Sequence, residues 1–372
     1  MFPYILLLLI PTFFAFVAFD RTEKPVKIRI GMPRNQLIFE NNLLIPVFFI
    51  MLLALLMVRD ETIGRDIVSY KFYFEVYSQQ NPKYFDLFRT ESLFRMYCWI
   101  IGRFTDDIQV FIAITAVASV VPLALVYNRE RKFGYMQMVI FVSMSTFPIL
   151  FSTFRQILSM AVGMLAYDFV RKKNLIGFLV CVVIAFGFHH SAFMLLFYYP
   201  LYHVQLRKKH LFVIVPLVAA IFVWNRPVFS MLNAFIAEYD DTYAAMSGST
   251  GAYMMIILFL VFSVFSFIIP DEKKLDGETI GLRNFLLMAV VLQMFAPLHP
   301  LAMRLNYYYI IFIPIILAKV MAIPAPQFRR VIPWAKVILS LYFTYDFLYK
   351  TYVSYVTKTS PLDTIPYIPF WK

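Results

Sequence analysis

The sequence predicts an all-α, polytopic integral membrane protein with about 12 transmembrane helices. Composition is the first reason: of the 372 residues, 61% are hydrophobic and only 15% are charged, and the mean hydropathy is +0.71. So little polar surface could not cover a soluble protein of this length. The second reason is that apolar runs of helical length recur along the whole chain. We therefore expect one polytopic membrane domain over residues 1–372.

The apolar runs give the candidate spans in order. The first has no basic flank and no small-residue cleavage site, so we expect a retained span rather than a signal peptide. The runs at 175–189 and 191–204 are shorter than the usual about 17 to 25 residues, which indicates tilt or local thinning of the bilayer. The candidate spans lie near 2–19, 37–58, 106–127, 135–151, 155–170, 175–189, 191–204, 211–225, 251–270, 284–298, 303–322 and 337–353.

Basic residues predict the orientation. Alternate loops hold 21 of the 34 Lys and Arg residues, so these loops should be cytoplasmic and both termini should lie outside. Two longer outer segments remain, 59–105 and 225–250. The first ends in ESLFRMYCWIIGRF, an amphipathic stretch too short to span, which we expect to lie in the membrane interface. The second is a candidate lid. The predicted cytoplasmic loops are 20–36, 127–134, 171–174, 205–210, 271–283 and 319–336.

Charge and cysteine content exclude other classes of protein. The net charge of +12 is spread in short clusters between apolar runs, which is typical of membrane topology and not of nucleic-acid binding. Cys98 and Cys181 are too few for a disulfide framework or a zinc site. Two acidic pairs resemble metal ligands, but each stands where helix caps are common, so we expect no metal site and no cofactor. These pairs are Asp106 with Asp107 and Asp240 with Asp241.

The stretch 151–193 reads as a helical hairpin around a basic turn. Sixteen residues separate Arg155 from Arg171, and the same number separates Lys173 from His189. Each arm would span about 24 Å, which would return His189 to the depth of Arg155 at the outer face.

Arginine and histidine residues gather near the outer ends of several predicted spans. One guanidinium group can donate two parallel hydrogen bonds to phosphate oxygens, and it stays charged. Such a layer therefore suits a lipid-linked diphosphate whose head group lies at the outer surface. A histidine could take the proton of an acceptor hydroxyl. The alternative is that these side chains only anchor helix ends. The residues are Arg65, Arg155 and Arg304, with His189, His190 and His299.

Other polar groups could share this chemistry. Asp66 and Glu91 are further candidate bases, although Glu91 could equally be a structural cap at the start of its helix. The tyrosines Tyr70, Tyr73 and Tyr308 could stack on sugars or belong to an interfacial aromatic belt. Ser191 follows the two histidines, but no GxSxG motif surrounds it, which argues against a serine hydrolase.

Five short motifs, in this order, are similar to the EpsG family of Wzy-type polysaccharide polymerases. They are GRDIVSYKFYF from Gly64, ESLF from Glu91, FRQILSMAVGMLA from Phe154, FHHSAF from Phe188 and MRLNYYYIIFIPIIL from Met303. The resemblance implies a glycosyltransferase of the GT-C type on the outer face of the bacterial inner membrane. Such an enzyme would join repeat units of O-antigen, capsule or exopolysaccharide that are linked to undecaprenyl diphosphate.

The resemblance also implies site residues. It points to Arg65 and Asp66, Arg155 and Gln156, His189 with Ser191, and Arg304. It leaves open whether His189, Asp66 or Glu91 is the base, which histidine of FHHS faces the site, which sugars are used and whether a chain-length-regulating copolymerase takes part. We expect Arg155 and Arg304 to hold the leaving diphosphate, Arg65 to hold the acceptor's phosphates and His189 to act as the base.

Three other functions share parts of the pattern. A transporter or flippase of the same lipid would also use outer arginines, but the spans lack charged residues near their middles and matching Gly- or Pro-broken helices. An O-antigen ligase would differ only in its acceptor. A membrane acyltransferase would need a cytoplasmic acyl donor, whereas both histidine motifs are expected to face out.

Overall fold

A computed structural model describes residues 1–17, 43–80, 90–130, 132–236 and 250–371. Helices dominate these ranges, and no β-strand forms within them; the two β-bridges, Arg59 with Pro369 and Pro270 with Pro324, are isolated. The all-α prediction is confirmed.

The chain divides into two compact units, and the division falls inside helix α8. The first unit comprises Met1–Ala161 and Arg329–Lys372, and the second comprises Val162–Phe328. Helices of the first unit are α1 Phe2–Val17, α2 Leu44–Met57, α3 Ile67–Gln79, α4 Ser92–Ile101, α5 Ile108–Arg129, α6 Gly134–Ser143, α7 Thr146–Ser152, the start of α8 Phe154–Arg171, and α17 Ile332–Thr357. Helices of the second unit are the rest of α8, α9 Leu175–Phe188, α10 Tyr198–His203, α11 Leu211–Val223, α12 Asn225–Ile236, α13 Thr250–Ile268, α14 Gly277–Gln293, α15 Pro300–Ile310 and α16 Ile313–Ala322. The described residues also include 3-10 helices at His190–Phe197, Lys208–His210, Pro326–Phe328 and Pro361–Asp363. The predicted single membrane domain stays a prediction.

Every predicted apolar run contains helix in the structure, yet few helices are long enough to span a bilayer alone. By length and composition, three helical segments of the described residues could cross a membrane. They are Ile108–Arg129, Gly251–Ile268 and Ala302–Ala322, the last of which comprises most of α15 and all of α16. Counting two bent pairs as single spans raises this number to 5. Several other helices hold 10–17 residues and fall short of the about 20 that a span needs. The chain is a membrane protein, and the count of 12 spans stays a prediction.

Three runs depart from a straight α-helix. The run at 135–151 bends by 62° where α6 gives way to α7, and the run from 211 bends by 77° between α11 and α12. The run at 191–204 is a 3-10 helix followed by the short α10. The first bend lies within 143–146, where three of the four residues are polar, and the second is followed by Asn225, Arg226 and Pro227. A search for apolar runs takes such a short polar stretch as part of a run or as its end, so it does not show the bend.

The described residues of the segment 59–105 contain two helices, of which the sequence predicted only the second. Helix α4 confirms the helix expected after Glu91. Helix α3 was missed because polar residues interrupt its apolar ones. Its buried residues Ile67, Tyr70, Phe74 and Tyr77 nevertheless form one stripe at helical spacing, which packs against α4 and α5.

Each unit has an aromatic core. In the first, Phe48, Phe49 and Phe141 are each at most 3% exposed, and their ring centroids lie 5.2 to 5.9 Å apart. In the second, the ring of Phe285 lies 4.6 Å from that of Tyr198 and 5.3 Å from that of Phe312. By contrast, α11 is wholly apolar and buries none of its residues, as expected of a helix that faces lipid.

Gly64 provides a test of the local fold. Its φ is +113°, and an added Cβ would lie 2.1 Å from the carbonyl oxygen of Phe151. Both conditions exclude a larger residue, so we expect Gly64→Ala to lower the free energy of unfolding by at least about 2 kcal/mol. Gly251→Ala is the matched control, because an added Cβ there meets nothing within 4 Å. Thermal unfolding in detergent checks both; equal melting temperatures for the two variants would contradict the geometry.

Candidate active site

The GRD segment is fixed by its backbone. The amide of Arg65 donates to the carbonyl of Leu362 at 2.9 Å, and the amide of Asp66 donates to the Ser152 hydroxyl at 3.1 Å. The Arg65 side chain forms an exposed ion pair with Asp363, Nε to Oδ2 3.2 Å. Asp66 occupies the N-cap position of α3, although its side chain makes no capping hydrogen bond. Both predicted residues therefore stand at the start of α3, with Asp66 directly beside the turn that leads into α8.

Arg155 lies in the first turn of α8 and pairs with Glu91. The distance from Nη1 to Oε2 is 2.5 Å, and the side chain of Glu91 is only 2% exposed, against 25% for Arg155. Glu91 stands at the N-cap position of α4 but makes no capping hydrogen bond. Its buried carboxylate contacts Arg155 instead of capping α4, and its candidate role as a base stays a prediction.

Tyr70 completes this group from α3. Its buried ring stacks on that of Phe154, with centroids 4.9 Å apart, and its hydroxyl accepts a hydrogen bond from the Arg155 amide at 3.4 Å. Tyr73, one turn further along α3, is half-buried, with its ring 6.4 Å from that of Tyr70. We call Tyr70, Glu91 and Arg155 the arginine cluster.

The arginine cluster is suited to bind an anion. Residues at the starts of α3, α4 and α8 meet there, and helix N-termini carry partial positive charge. Glu91 engages one terminal nitrogen of the guanidinium, whereas Nε has no hydrogen-bond acceptor among the described residues. That Nε atom is buried, but 25% of the side chain is exposed, so Arg155 is held in place while part of it stays accessible to a ligand. Gln156 follows in α8 and is buried, at 2% exposed.

Arg59 is a residue that the sequence reasoning missed. It is 1% exposed, and its guanidinium donates to the Leu150 carbonyl at 3.3 Å and lies 5.3 Å from the rings of both Phe151 and Phe154. A cation at the C-terminal end of α7 complements that helix dipole. Arg59 therefore anchors the turn from which Arg155 emerges. Its only sequence signal is a lone arginine directly after an apolar run.

The FHHS motif, Phe188 to Ser191, lies in the second unit. Helix α9 ends at Phe188, His189 is extended with φ −159° and ψ 127°, and a 3-10 helix begins at His190. This geometry points the two imidazoles in different directions: His189 is 5% exposed, whereas His190 is exposed and lies against the ring of Phe186 at 4.9 Å. The buried histidine of the pair is His189.

Tyrosines of α15 and α10 hold the 3-10 helix that follows. The hydroxyls of Ser191 and Tyr308 lie 3.0 Å apart, and the Tyr309 hydroxyl donates to the Met194 carbonyl at 2.7 Å. Tyr198 donates to the Tyr308 carbonyl. These contacts fix the backbone that carries His189.

Arg304 and Tyr308 both lie in α15, and His299 lies near Arg304. Arg304 is four residues before Tyr308, so both occupy the same face of α15. His299 precedes α15, is 9% exposed and stacks on the ring of Phe229 at 5.8 Å. Burial, and then the positive charge of Arg304, lower the pKa of His299 below its usual value. The imidazole is therefore neutral at pH 7.

Replacing Arg304 should reverse part of that shift. In Arg304→Gln the positive charge is gone while burial remains, so the pKa of His299 should rise toward its usual value. The pH dependence of histidine modification by diethyl pyrocarbonate, followed at His299 by mass spectrometry, measures this pKa. An unchanged pKa would show that Arg304 does not act on His299.

The predicted site residues thus fall into two groups. The first unit holds Arg65, Asp66, Tyr70, Tyr73, Glu91, Arg155 and Gln156, and the second holds His189, His190, Ser191, His299, Arg304 and Tyr308. Within each unit the structure brings most of them together. The predicted convergence of the three arginines in one layer stays a prediction.

The acidic pairs separate into one described and one undescribed case. Asp107 accepts a hydrogen bond from the Gln109 amide at 2.7 Å and caps α5, which confirms the helix-cap interpretation. Asp240 and Asp241, and residues 237–249 of the predicted lid at 225–250, lie outside the described residues. In the ranges that the structure covers, no three His, Cys, Asp or Glu side chains form a group that could hold a metal ion.

Comparison with known families gives one match. The sequence model of the EpsG family matches residues 42–368, well over half of the chain and including the residues of both groups. Neither the curated proteins nor the solved structures contain a significant match. The chain therefore belongs to the EpsG family, the family of Wzy-type polysaccharide polymerases.

Proposed function

We propose that the protein polymerises oligosaccharide repeat units linked to undecaprenyl diphosphate, at the outer face of the bacterial inner membrane. The growing chain on lipid diphosphate is the donor, and a hydroxyl of a second lipid-linked repeat is the acceptor. The observation that carries this proposal is Arg155, fixed by Glu91 at the start of α8 and 25% exposed, so that part of its side chain is accessible to an anion.

The reaction is an inverting glycosyl transfer. The acceptor oxygen attacks the anomeric carbon and forms the new C–O bond, while the bond from that carbon to the diphosphate oxygen breaks. The electron pair leaves with the lipid diphosphate, and the acceptor's proton passes to a base. Arg155 stabilises the charge that grows on the leaving diphosphate, because its donors are positioned before the reaction begins.

Glu91 acts by positioning Arg155. Its carboxylate is buried and lies 2.5 Å from the guanidinium, which fixes the arginine at the start of α8. Losing this carboxylate would free the arginine to leave its place at the start of α8. Glu91→Gln should therefore weaken donor binding and the reaction, whereas it would stop proton transfer only if Glu91 were the base.

His189 is the base in this proposal, with Asp66 as the alternative. His189 is buried at the end of α9 and its backbone is held by the Ser191–Tyr308 contact. His190 receives no role because it is exposed against Phe186. The assignments of Arg304 to the diphosphate and Arg65 to the acceptor's phosphates stay predictions from the sequence. The same is true of sugar contacts by Tyr70, Tyr73 and Tyr308, and of a copolymerase partner.

Reconstitution tests this function. The protein is placed in liposomes with a defined undecaprenyl-diphosphate repeat unit, and the products are separated by gel electrophoresis. The proposal expects a ladder of glycans that increase by one repeat. Transbilayer movement of the lipid without a ladder would identify a flippase, and a single transfer to a different acceptor would identify a ligase; either result would overturn the polymerase proposal.

A further inference from the structure

A polar cavity lies in the second unit, at the end of α9 that is remote from His189. It measures about 900 Å³ and is lined in part by Arg171, Lys172, Lys173, His203, Gly277 and Glu278. The 14 residues of α9 separate this cavity from His189 by about 21 Å. We call it the basic cavity. It takes no part in the proposed glycosyl transfer.

One acidic side chain of the basic cavity is already paired. Glu278 binds Arg171, Nε to Oε1 2.7 Å, and also lies 3.6 Å from Lys319. The Tyr167 hydroxyl donates to it at 2.9 Å. The second nearby carboxylate, on Asp168, lies 3.7 Å from Arg171. Four cations therefore lie at or beside the cavity, on Arg171, Lys172, Lys173 and Lys319, against three carboxylates, on Glu278, Asp168 and Asp276, which leaves an excess of one positive charge.

Lys172 and Lys173 supply that excess. Both are exposed, and no carboxylate of the described residues lies within ion-pair distance of either. Lys173 has φ +55°, a conformation that glycine or asparagine adopts at lower cost after a helix end. A lysine at this position places a positive charge at the cavity, although it strains the backbone there.

The start of α14 adds a further positive end. Asp276 caps this 17-residue helix by accepting a hydrogen bond from the Thr279 amide at 2.7 Å. The amides of Gly277 and Glu278, also in the first turn, have no acceptor within the helix. At Gly277 an added Cβ would meet only the side chain of Gln205, at 3.8 Å. The backbone here is open to a ligand, and its partial charge favours an anion.

We propose that the basic cavity binds a phosphate group, carried either by the head group of an anionic lipid or by a soluble diphosphate. Lys172, Lys173 and the first turn of α14 are the parts that contact it. By the distribution of basic loops, this end of the unit is expected to face the cytoplasm. The proposal is independent of the polymerase function.

The experiment uses the full chain in nanodiscs and has two arms. In phosphatidylcholine nanodiscs, inorganic pyrophosphate is titrated by calorimetry. In nanodiscs that also contain phosphatidylglycerol, native mass spectrometry counts the retained anionic lipids. The variants are Lys172→Gln and Lys173→Gly, and the matched control is Lys209→Gln, an exposed lysine outside the cavity lining.

We expect both variants to lower the affinity by about tenfold in at least one arm, and the control to leave it unchanged. Loss in the pyrophosphate arm identifies a soluble diphosphate, and loss in the lipid arm identifies a head group. Lys173→Gly also relieves backbone strain, so its melting temperature should not fall although its binding does. If Lys172→Gln and Lys209→Gln bind equally in both arms, the proposal is wrong.

Discussion

Arg155→Lys should lower the polymerisation rate by at least about a hundredfold while leaving the protein folded. Lysine keeps the positive charge but is a single point donor, whereas the guanidinium binds Glu91 and still presents parallel donors to a diphosphate. The reaction therefore loses stabilisation of its leaving group. Initial rates of ladder formation in liposomes, together with melting temperatures, measure the two effects separately.

Arg129→Lys is the matched control for that change. Arg129 also pairs with a glutamate, Glu130 at 3.4 Å, but it lies in the last turn of α5 and outside the arginine cluster. Its rate should stay within about twofold of the parent, the range expected of a surface ion pair. The changes Arg155→Lys and Glu91→Gln should combine less than additively, because both act on one guanidinium. Parent-like activity of Arg155→Lys would remove Arg155 from the mechanism.

His189→Gln should lower the rate by about a hundredfold to ten-thousandfold, and His190→Gln should leave it within about twofold. The chain provides this control itself, because the two histidines are adjacent and differ in burial: His189 is 5% exposed and His190 is exposed. Glutamine preserves size and polarity but cannot take a proton at neutral pH. Rates in liposomes of the parent and the two variants check the difference.

A pH profile separates a base from a structural histidine at position 189. If His189 takes the acceptor's proton, the parent rate falls as the pH drops and the imidazole becomes protonated, and the residual rate of His189→Gln lacks that fall. An equal loss of activity in His189→Gln and His190→Gln would argue against the assignment. So would a parent rate that does not change across the acidic range, and Asp66 would then be the next candidate base.

The helices could be predicted from the sequence wherever they are apolar. Runs of Leu, Ile, Val and Phe mark α2, α5 and α13 directly, because a membrane helix needs little else. Helix α3 escaped because its stripe of Ile67, Tyr70 and Phe74 is separated by polar residues. The bends after Ser143 and Val223 escaped because the few polar residues there were read as part of an apolar run or as its end.

The sequence predicts which residues belong to the candidate site, but only a few of the contacts between them. The motifs identified Arg155 and Glu91, but these residues are 64 apart in sequence, so their ion pair depends on tertiary packing. The position of Glu91 at a helix start made a capping role as plausible as that of a base, but its carboxylate makes no capping hydrogen bond and pairs with Arg155 instead. For His189 and His190, the type of residue is the same, and only the extended backbone at position 189 distinguishes the buried imidazole. Arg59 gave no local sign of its burial.

The stoichiometry of lipid diphosphate release tests the central claim most directly. In liposomes with a radiolabelled undecaprenyl-diphosphate repeat unit, the free lipid diphosphate is counted against the glycosidic bonds formed. The proposed mechanism predicts one lipid diphosphate released for each new bond, with both quantities falling together in Arg155→Lys. Bond formation without release of lipid diphosphate would contradict it, because the group that Arg155 is proposed to stabilise would not be the leaving group.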